Sequence, residues 1–270
     1  TEVVNMAVSD IATWFVKENG SLWKVGGTVN SSQLAIDLFP RRILSSGVVQ
    51  VELINSPTIG FQAFVLDSNG AVKHLYQSGA NNYSYPIIMK DGVRSISAGE
   101  GHLMMLKWDG MVWVVGNNEY GQLGNGRDTR NSTNFVPFDQ PIKIPYLNDV
   151  ISISAGYNHS LLIKEDGSLC GMGENWTGEL GINKNESTYT ELGPNGSPYA
   201  LENVPVQILS SGVSQISAGL GSSIFVKTDG SLWGMGWNMS GQLGQGTFGR
   251  DDPRFQENVD HDTPIQILRS

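Results

Sequence analysis

One stretch of sequence occurs several times in this chain, and the repetition limits what the chain can fold into. The segment from Gly167 to Gly181 reads GSLCGMGENWTGELG, and close copies begin at Gly110 and Gly230. Each copy starts at an Asp-Gly pair between hydrophobic runs, which predicts a type I′ β-hairpin turn. Five such Asp-Gly or Asn-Gly turns place their glycines at 20, 70, 110, 167 and 230, with successive spacings of 50, 40, 57 and 63 residues. Periods of this length predict a repeat architecture.

Each unit contains about four short strands and no long amphipathic helix, which is typical of one four-stranded β-propeller blade. Stacking blades around an axis covers the two faces that a single blade leaves open to water. We therefore predict an all-β fold, a β-propeller of four-stranded blades, in a single domain over residues 1–270. The repeat units cover about 1–47, 48–92, 93–149, 150–212 and 213–270, and the second is the most degraded copy.

The last three units share an entry strand and loop, ISAGEGH from Ile96, ISAGYNH from Ile153 and ISAGLGS from Ile216, followed by the pattern G-x-N-x-x-G-[QE]-L-G. Together these motifs resemble the regulator-of-chromosome-condensation repeat family of β-propellers, in a style closest to bacterial members. The resemblance is specific for residues 93–270, weaker for 1–47 and faint for 48–92. It implies a propeller, and the best-known members have seven blades. Because both ends fall at one point of the repeat, a ring closed by five blades is favoured, with part of a larger ring as the alternative.

Two kinds of connection between strands share one face of such a propeller, because successive connections in an up-and-down blade alternate between the two ends of the blade. With strands named A to D, these are the A–B turns and the long C–D connections, which include residues 125–140, 182–204 and 245–263. Long loops without structure of their own are often functional. We predict that this face binds a partner, with tolerated insertions on a robust scaffold as the alternative. The candidate partner-binding residues are Glu100, Glu119, Tyr120, Tyr157, Asn158, Trp176 and Trp237.

Large aromatic side chains with polar tips supply much of the energy of protein interfaces. One secreted bacterial enzyme inhibitor that looks similar in repeat pattern binds its enzyme through loop aromatics, and this likeness carries over to Tyr120, Tyr157 and Trp176 only. The alternative for each ring is that it lies against the neighbouring blade.

The charge balance restricts the partners. Lys and Arg total 17 against 26 Asp and Glu, a formal net charge of −9, which opposes the attraction to phosphates that dominates nucleic-acid binding.

The chain has no apolar run long enough to span a membrane, and TEVVNMAVSD lacks the features of a signal peptide. The lone Cys170 takes a slot occupied by Trp113 and Trp233, which indicates a buried filler.

No motif of a catalytic or metal site is found. His102 and His159 share one repeat slot, which favours a hydrogen-bonding structural role, and no Cys/His cluster has metal-ligand spacing. We expect no cofactor, no metal and no catalytic residue. The sequence predicts a non-catalytic module that binds a macromolecule, above all a protein, and an extracellular or cell-surface location is favoured over the cytoplasm. The alternatives are a carbohydrate-binding, lectin-like propeller and an enzyme with a composite loop site.

Overall fold

In the computed structural model the chain is described at residues 2–30, 33–77, 83–127, 135–183, 189–192, 198–246 and 260–269. These residues form five antiparallel β-sheets in chain order, each built on four strands, which confirms the all-β propeller of five four-stranded units. Among the described residues, no helix has the length and apolar character needed to cross a membrane.

The strands of each sheet follow one another along the chain, and we call the sheets 1 to 5. Sheet 1 contains β1 (Val3–Val8), β2 (Ala12–Lys17), β3 (Leu22–Asn30) and β4 (Gln33–Leu44). Sheet 2 contains β5 (Val48–Ser56), β6 (Gly60–Asp67), β7 (Val72–Gln77), β8 (Tyr83–Ser84) and β9 (Ile87–Met89). Sheet 3 contains β10 (Val93–Ala98), β11 (His102–Lys107), β12 (Val112–Gly116) and β13 (Ile142–Lys143).

Sheet 4 contains β14 (Val150–Ala155), β15 (His159–Lys164), β16 (Leu169–Glu174), β17 (Tyr189–Leu192) and β18 (Pro198–Leu209). Sheet 5 contains β19 (Val213–Ala218), β20 (Ser222–Lys227), β21 (Leu232–Gly236) and β22 (His261–Leu268). The connection 182–204, expected to lack structure, includes β17 and the first residues of β18. The reason is that β18 continues past the blade end, where Glu174 pairs with Leu201 and β17 pairs with β18.

The hairpin turns differ from the expected type I′ geometry. The glycines have positive φ, for example +76° at Gly20 and +75° at Gly110, but the Asn or Asp before each glycine does not. The amide of Gly20 donates to the carbonyl of Lys17 at 2.7 Å, which fits a type I turn followed by a left-handed glycine. The Asp or Asn side chain then accepts from the amide two residues later, as at Asp166 and Ser168. The dipeptide therefore predicted the hairpin correctly and the turn type wrongly.

Neighbouring sheets are joined by one arrangement that recurs at each junction. The A strand of each sheet packs on the A and B strands of the sheet before it, as β14 does on β10 and β11. At the turn end, the first residue of the A strand donates its amide to the turn glycine of the preceding sheet, as Val150 does to Gly110. Farther along, an A-strand side chain accepts from the next A strand. Ser97 accepts from the Ala155 amide at 3.0 Å, and Ser154 accepts from the Ala218 amide at 2.9 Å.

Buried hydrogen bonds between a histidine and a serine join sheet 3 to sheet 4 and sheet 4 to sheet 5. His102 Nε2 lies 2.8 Å from Ser160 Oγ, and His159 Nε2 lies 2.9 Å from Ser223 Oγ. Each serine hydroxyl also donates to a backbone carbonyl of the preceding sheet, Gln122 or Glu179. Since that donation uses the serine proton, the neutral histidine must donate from Nε2–H. Each of these hydrogen bonds therefore joins a histidine of one blade to a serine of the next blade.

This pairing explains where the motif is incomplete. Sheet 3 has the histidine but carries Leu103 in the serine slot, and sheet 5 has the serine but carries Ser222 in the histidine slot. The two histidines thus have the structural role expected of them. The glycine of ISAG is also required, because a Cβ atom at Gly156 would lie 2.5 Å from His159 Cε1.

The core consists of apolar clusters that bridge adjacent sheets rather than fill single ones. One joins sheets 1 and 2, a larger one joins sheets 2, 3 and 4, and a third joins sheets 4 and 5. Leu123, Leu180 and Leu243 are fully buried, and Cys170 is buried, as predicted. Within the described residues, no comparable packing joins sheet 5 to sheet 1. The contacts therefore give no support to closure of the ring by these five sheets alone.

The histidine–serine pairs predict a measurable coupling. We expect His159→Ala and Ser223→Ala each to destabilise the fold, with a coupling free energy of about 1 kcal/mol in a double-mutant cycle at pH 7.5, because the two groups form one buried hydrogen bond. Chemical denaturation of the four proteins measures it. A coupling of zero would show that the pair adds nothing to the junction.

Acid should weaken the same junctions. Burial lowers the pKa of His102 to about 3 and that of His159 to about 4. Because these pKa values lie below the ordinary 6.5, the stabilisation is complete above pH 6.5 and is lost as the pH falls towards 4. Denaturation between pH 7 and pH 4.5 should show falling stability with a smaller slope in His159→Ala, and an equal slope in both proteins would contradict this account.

Candidate functional site

The A–B turns and the starts of the C–D connections meet at one end of the sheets. Within a sheet the two are tied by a backbone hydrogen bond, in which the amide of Asn117, Glu174 or Trp237 donates to the carbonyl of Gly101, Asn158 or Gly221. We call the surface made by residues 99–101, 117–120, 156–158, 174–177, 219–221 and 237–240 the loop face. The hairpin turns lie at the opposite end.

A cavity of about 410 Å³ opens on the loop face and is lined by the ends of the A strands of all five sheets and by the A–B turns of sheets 1, 3, 4 and 5. Its lining residues are Val8, Ser9, Asp10, Leu53, Asn55, Ala98, Gly99, Glu100, Ala155, Gly156, Tyr157, Ala218, Gly219 and Leu220. Asn55 Nδ2 donates to Asp10 Oδ2 at 3.0 Å, which links sheets 1 and 2 at its wall. The charged side chains of this lining, Asp10 and Glu100, are acidic.

Glu100 and Tyr157 connect sheets 3 and 4 at the rim of this cavity. The Tyr157 hydroxyl donates to the Glu100 carboxylate, and this hydrogen bond raises the pKa of Tyr157. The pKa of Glu100 is also raised, mainly because the half-buried carboxylate is desolvated, with a further contribution from the charge of Glu119. The two carboxylates are therefore close enough to repel each other.

A second carboxylate lies behind this pair. Asn158 is buried, and its Nδ2 donates to Glu174 Oε2 at 3.0 Å. Burial raises the pKa of Glu174, and the charge of Glu100 adds to the rise. The amide of Asn158 is therefore engaged with Glu174.

Glu179 is a buried carboxylate that the sequence analysis did not single out. Its Oε2 accepts from the Thr177 amide at 2.9 Å, the same contact that Gln122 Oε1 makes with the Tyr120 amide at 3.0 Å. Burial, followed by the charge of Glu174, raises the pKa of Glu179 to about 7. The available signal was GELG at a position where the sister units read GQLG.

The structure brings some of the predicted residues together and separates others. Glu100, Glu119, Tyr157 and Asn158 lie around one group of carboxylates in sheets 3 and 4. Trp176 is exposed (44%) on the loop face, whereas Trp237 is half-buried with its Cβ against Gly221. Tyr120 is half-buried. Of the long connections, residues 128–134, 184–188, 193–197 and 247–259 lie outside the described residues.

The aromatic residues of the loop face do not recur from blade to blade. In the repeat register Trp176 matches Glu119 and Met239, Trp237 matches Asn117 and Glu174, and Tyr120 matches Thr177 and Ser240. Among the described residues, no group of three His, Cys, Asp or Glu side chains is placed to hold a metal ion. The arrangement offers contact area, hydrogen bonds and negative charge.

Comparison with known families identifies the repeat. A model described as the regulator of chromosome condensation (RCC1) repeat matches residues 109–163, and a second model of the same repeat matches residues 93–122 and 213–242. These matches show repeats of this type within residues 93–163 and 213–242, and the five sheets show the fold of a β-propeller.

The solved structure of Prp20p from Saccharomyces cerevisiae superposes on this chain with a TM-score of 0.79 at 22% identity, covering 100% of this chain and 64% of that one. The RCC2 homolog of Xenopus laevis is 29% identical over 205 residues, covering 74% of this chain and 36% of that protein. The ultraviolet-B receptor UVR8 of Arabidopsis thaliana is 31% identical over 166 residues, 60% of this chain and 33% of that protein. This chain thus spans about a third of the length of these two relatives. They are eukaryotic, so the likeness to bacterial members in particular is not supported.

Glu179 stands where the sister units have glutamine, and its carboxylate predicts that the stability of the fold depends on pH. Because the pKa of Glu179 is raised, its contribution to stability is complete below pH 4.5 and falls as the pH rises through about 7, by about 3 kcal/mol in total. We expect Glu179→Gln to raise the melting temperature at pH 8 and to change it little at pH 5. The matched variant Gln122→Glu should lower the melting temperature at pH 8. Equal effects at both pH values would contradict the burial of an ionisable Glu179.

Proposed function

We propose that this chain is a non-catalytic module that binds a protein partner through its loop face. The single observation that carries the proposal is the contact between Glu100 and Tyr157, which joins two blades into a continuous acidic and aromatic surface beside the axial cavity. A surface built across a blade junction is held by the rigid core beneath it, and such preorganisation favours recognition.

Charge indicates the kind of partner. Glu100 lies close enough to Glu119 and to Glu174 for their charges to repel, and burial of Glu100 and Glu174 opposes their ionisation. A basic side chain placed among them would relieve both effects, since an opposite charge favours the ionised carboxylate. The formal net charge of −9 would also steer a basic partner towards the molecule. We therefore propose a partner that presents Lys or Arg residues.

The relatives support binding in general terms. Prp20p has been solved together with Kap60, and its structure was described with its binding to Gsp1p and histones. These partners are those of Prp20p, and the present proposal names none of them for this chain.

The lectin alternative requires equivalent pockets in several blades. The described aromatic residues of the loop face, Tyr120, Tyr157, Trp176 and Trp237, occupy four different repeat slots, so they give no such set of equivalent platforms. A composite enzyme site has no specific observation in its favour, and the proposal therefore remains a binding module.

Substitutions on the two ends of the molecule test the proposal. We expect Tyr157→Ala and Trp176→Ala to weaken capture of a protein partner at least about tenfold, because they remove aromatic contacts of the loop face. The control is Trp108→Ala, which removes an exposed tryptophan from the hairpin end. Affinity capture from cell lysate and culture medium, quantified by mass spectrometry beside a glycan array, gives the measurement.

The melting temperatures of the variants decide how a loss of capture is interpreted. We expect Trp176→Ala to melt within about 2 °C of the wild-type chain, because 44% of this residue is exposed and it lies outside the apolar clusters. Equal capture by all three variants, or binding of sugars at several equivalent sites in place of a protein, would overturn the proposal.

A further inference from the structure

The wall of the axial cavity repeats from blade to blade. The sixth residue of every A strand lines it, and in all five sheets this residue is aliphatic: Val8, Leu53, Ala98, Ala155 and Ala218. Because the same slot of each repeat supplies the wall, the cavity has an apolar interior on every side.

The rim of the axial cavity, by contrast, differs from blade to blade. It is formed by the residue two positions after the wall residue in each sheet, namely Asp10, Asn55, Glu100, Tyr157 and Leu220. Sheets 1 to 3 thus contribute two carboxylates and an amide, whereas sheets 4 and 5 contribute an aromatic ring and an exposed leucine. The repeat fixes the wall, but the side chains of the rim are specific to this chain.

Both rim carboxylates are held by a neighbouring blade. Asn55 Nδ2 donates to Asp10 Oδ2 at 3.0 Å, and the Tyr157 hydroxyl donates to the carboxylate of Glu100. A carboxylate accepts several hydrogen bonds, so each of the two can accept further bonds from a ligand. The described residues that line the cavity include no Lys, Arg or His, so no basic side chain of the lining opposes this negative charge.

The charges around Glu100 determine which sign of ligand charge fits. Glu119 acts on the ionisation of Glu100, and Glu100 acts on that of Glu174, so the three carboxylates share one region beside the rim. A positive charge placed there is attracted by all three and favours their ionised forms, whereas an anion is repelled. The rim therefore selects for a cation, and the wall selects for an apolar body.

We propose that the axial cavity binds a small organic cation, with an ammonium or guanidinium group at Asp10 and Glu100 and an apolar body against the aliphatic wall and Leu220. The volume of about 410 Å³ lies within the range of small-molecule sites, which are mostly apolar with a few placed polar groups. A free amine and the side chain of a Lys or Arg residue of a protein share this chemistry. The site goes beyond the proposed function, because a free cation can occupy it without a protein partner.

Three probes separate the contribution of the charge from that of the apolar body. Phenethylamine carries both, phenethyl alcohol has nearly the same shape without the charge, and ethylamine has the charge without the ring. Titration of the 270-residue chain at neutral pH, followed by ¹H–¹⁵N NMR, gives the Kd and the residues whose resonances shift. We expect phenethylamine to bind at least about tenfold more tightly than either of the others, because it combines charge-assisted hydrogen bonds with burial of apolar surface.

Substitutions at the rim, with matched controls at the hairpin end, locate the site. Asp10→Asn and Glu100→Gln should each weaken phenethylamine binding at least about fivefold, because each removes one charged partner of the ammonium group. The controls Asp109→Asn and Glu165→Gln make the same changes of charge in exposed side chains of hairpin turns. They should change the Kd by less than about twofold, because distant exposed charges are screened.

Equal affinity for phenethylamine and phenethyl alcohol would overturn the proposal. Undiminished binding to both Asp10→Asn and Glu100→Gln would do the same, as would the absence of any resonance shift up to about 10 mM phenethylamine. The NMR spectrum of each variant also reports whether it is folded, so a loss of binding through unfolding is recognised directly.

Competition distinguishes the two sources of the cation. If a Lys or Arg side chain of a partner enters the cavity, phenethylamine reduces affinity capture of that partner and phenethyl alcohol does not. If the ligand is a free amine, capture is the same with and without phenethylamine. The NMR titration needs no protein partner, so failure of this inference is distinguishable from failure of the proposed function.

Discussion

The burial of one A strand against the strands of the preceding sheet is the interaction on which the whole structure depends. A single sheet of this chain has two faces to cover, and the apolar clusters all lie between sheets. Each junction combines apolar packing with two kinds of hydrogen bond, one accepted by the carbonyl of the turn glycine and one accepted by an A-strand side chain. Stability is therefore shared between neighbours, as in other repeat proteins, and the loop face is positioned by these junctions.

The repeated motif made much of this fold predictable. The spacing of the Asp-Gly turns gave the five sheets, and the alternation of strands placed the A–B turns and C–D connections at one end. The histidines that follow ISAG were predicted to be structural, but the serine partner in the next blade could not be read from one unit. The partner becomes evident only in the structure, where His159 contacts Ser223, 64 residues farther along the chain.

The electrostatics of the site were less predictable. Glu179 replaces glutamine in one copy of an otherwise repeated turn, and a sequence gives no measure of how deeply that position is buried. Likewise the sequence gives no sign that the amide of the candidate residue Asn158 donates to Glu174. The turn type failed for a similar reason: Asp-Gly suits two hairpin geometries, and the hydrogen bond to Lys17 or its counterpart selects one. Local patterns specify which groups are present, whereas burial depends on the neighbouring blade.

Native-state hydrogen exchange followed by mass spectrometry tests the central claim most directly, because it reports the protection of every sheet in one experiment. If junctions between neighbours carry the stability, the B strands of sheets 2, 3 and 4, which have a neighbour on each side, exchange slowest. β1 and β20, at the two ends of the series, exchange fastest among the A and B strands. Uniform protection of all five sheets would contradict the account, since it would mean that sheets 1 and 5 are covered as completely as sheet 3.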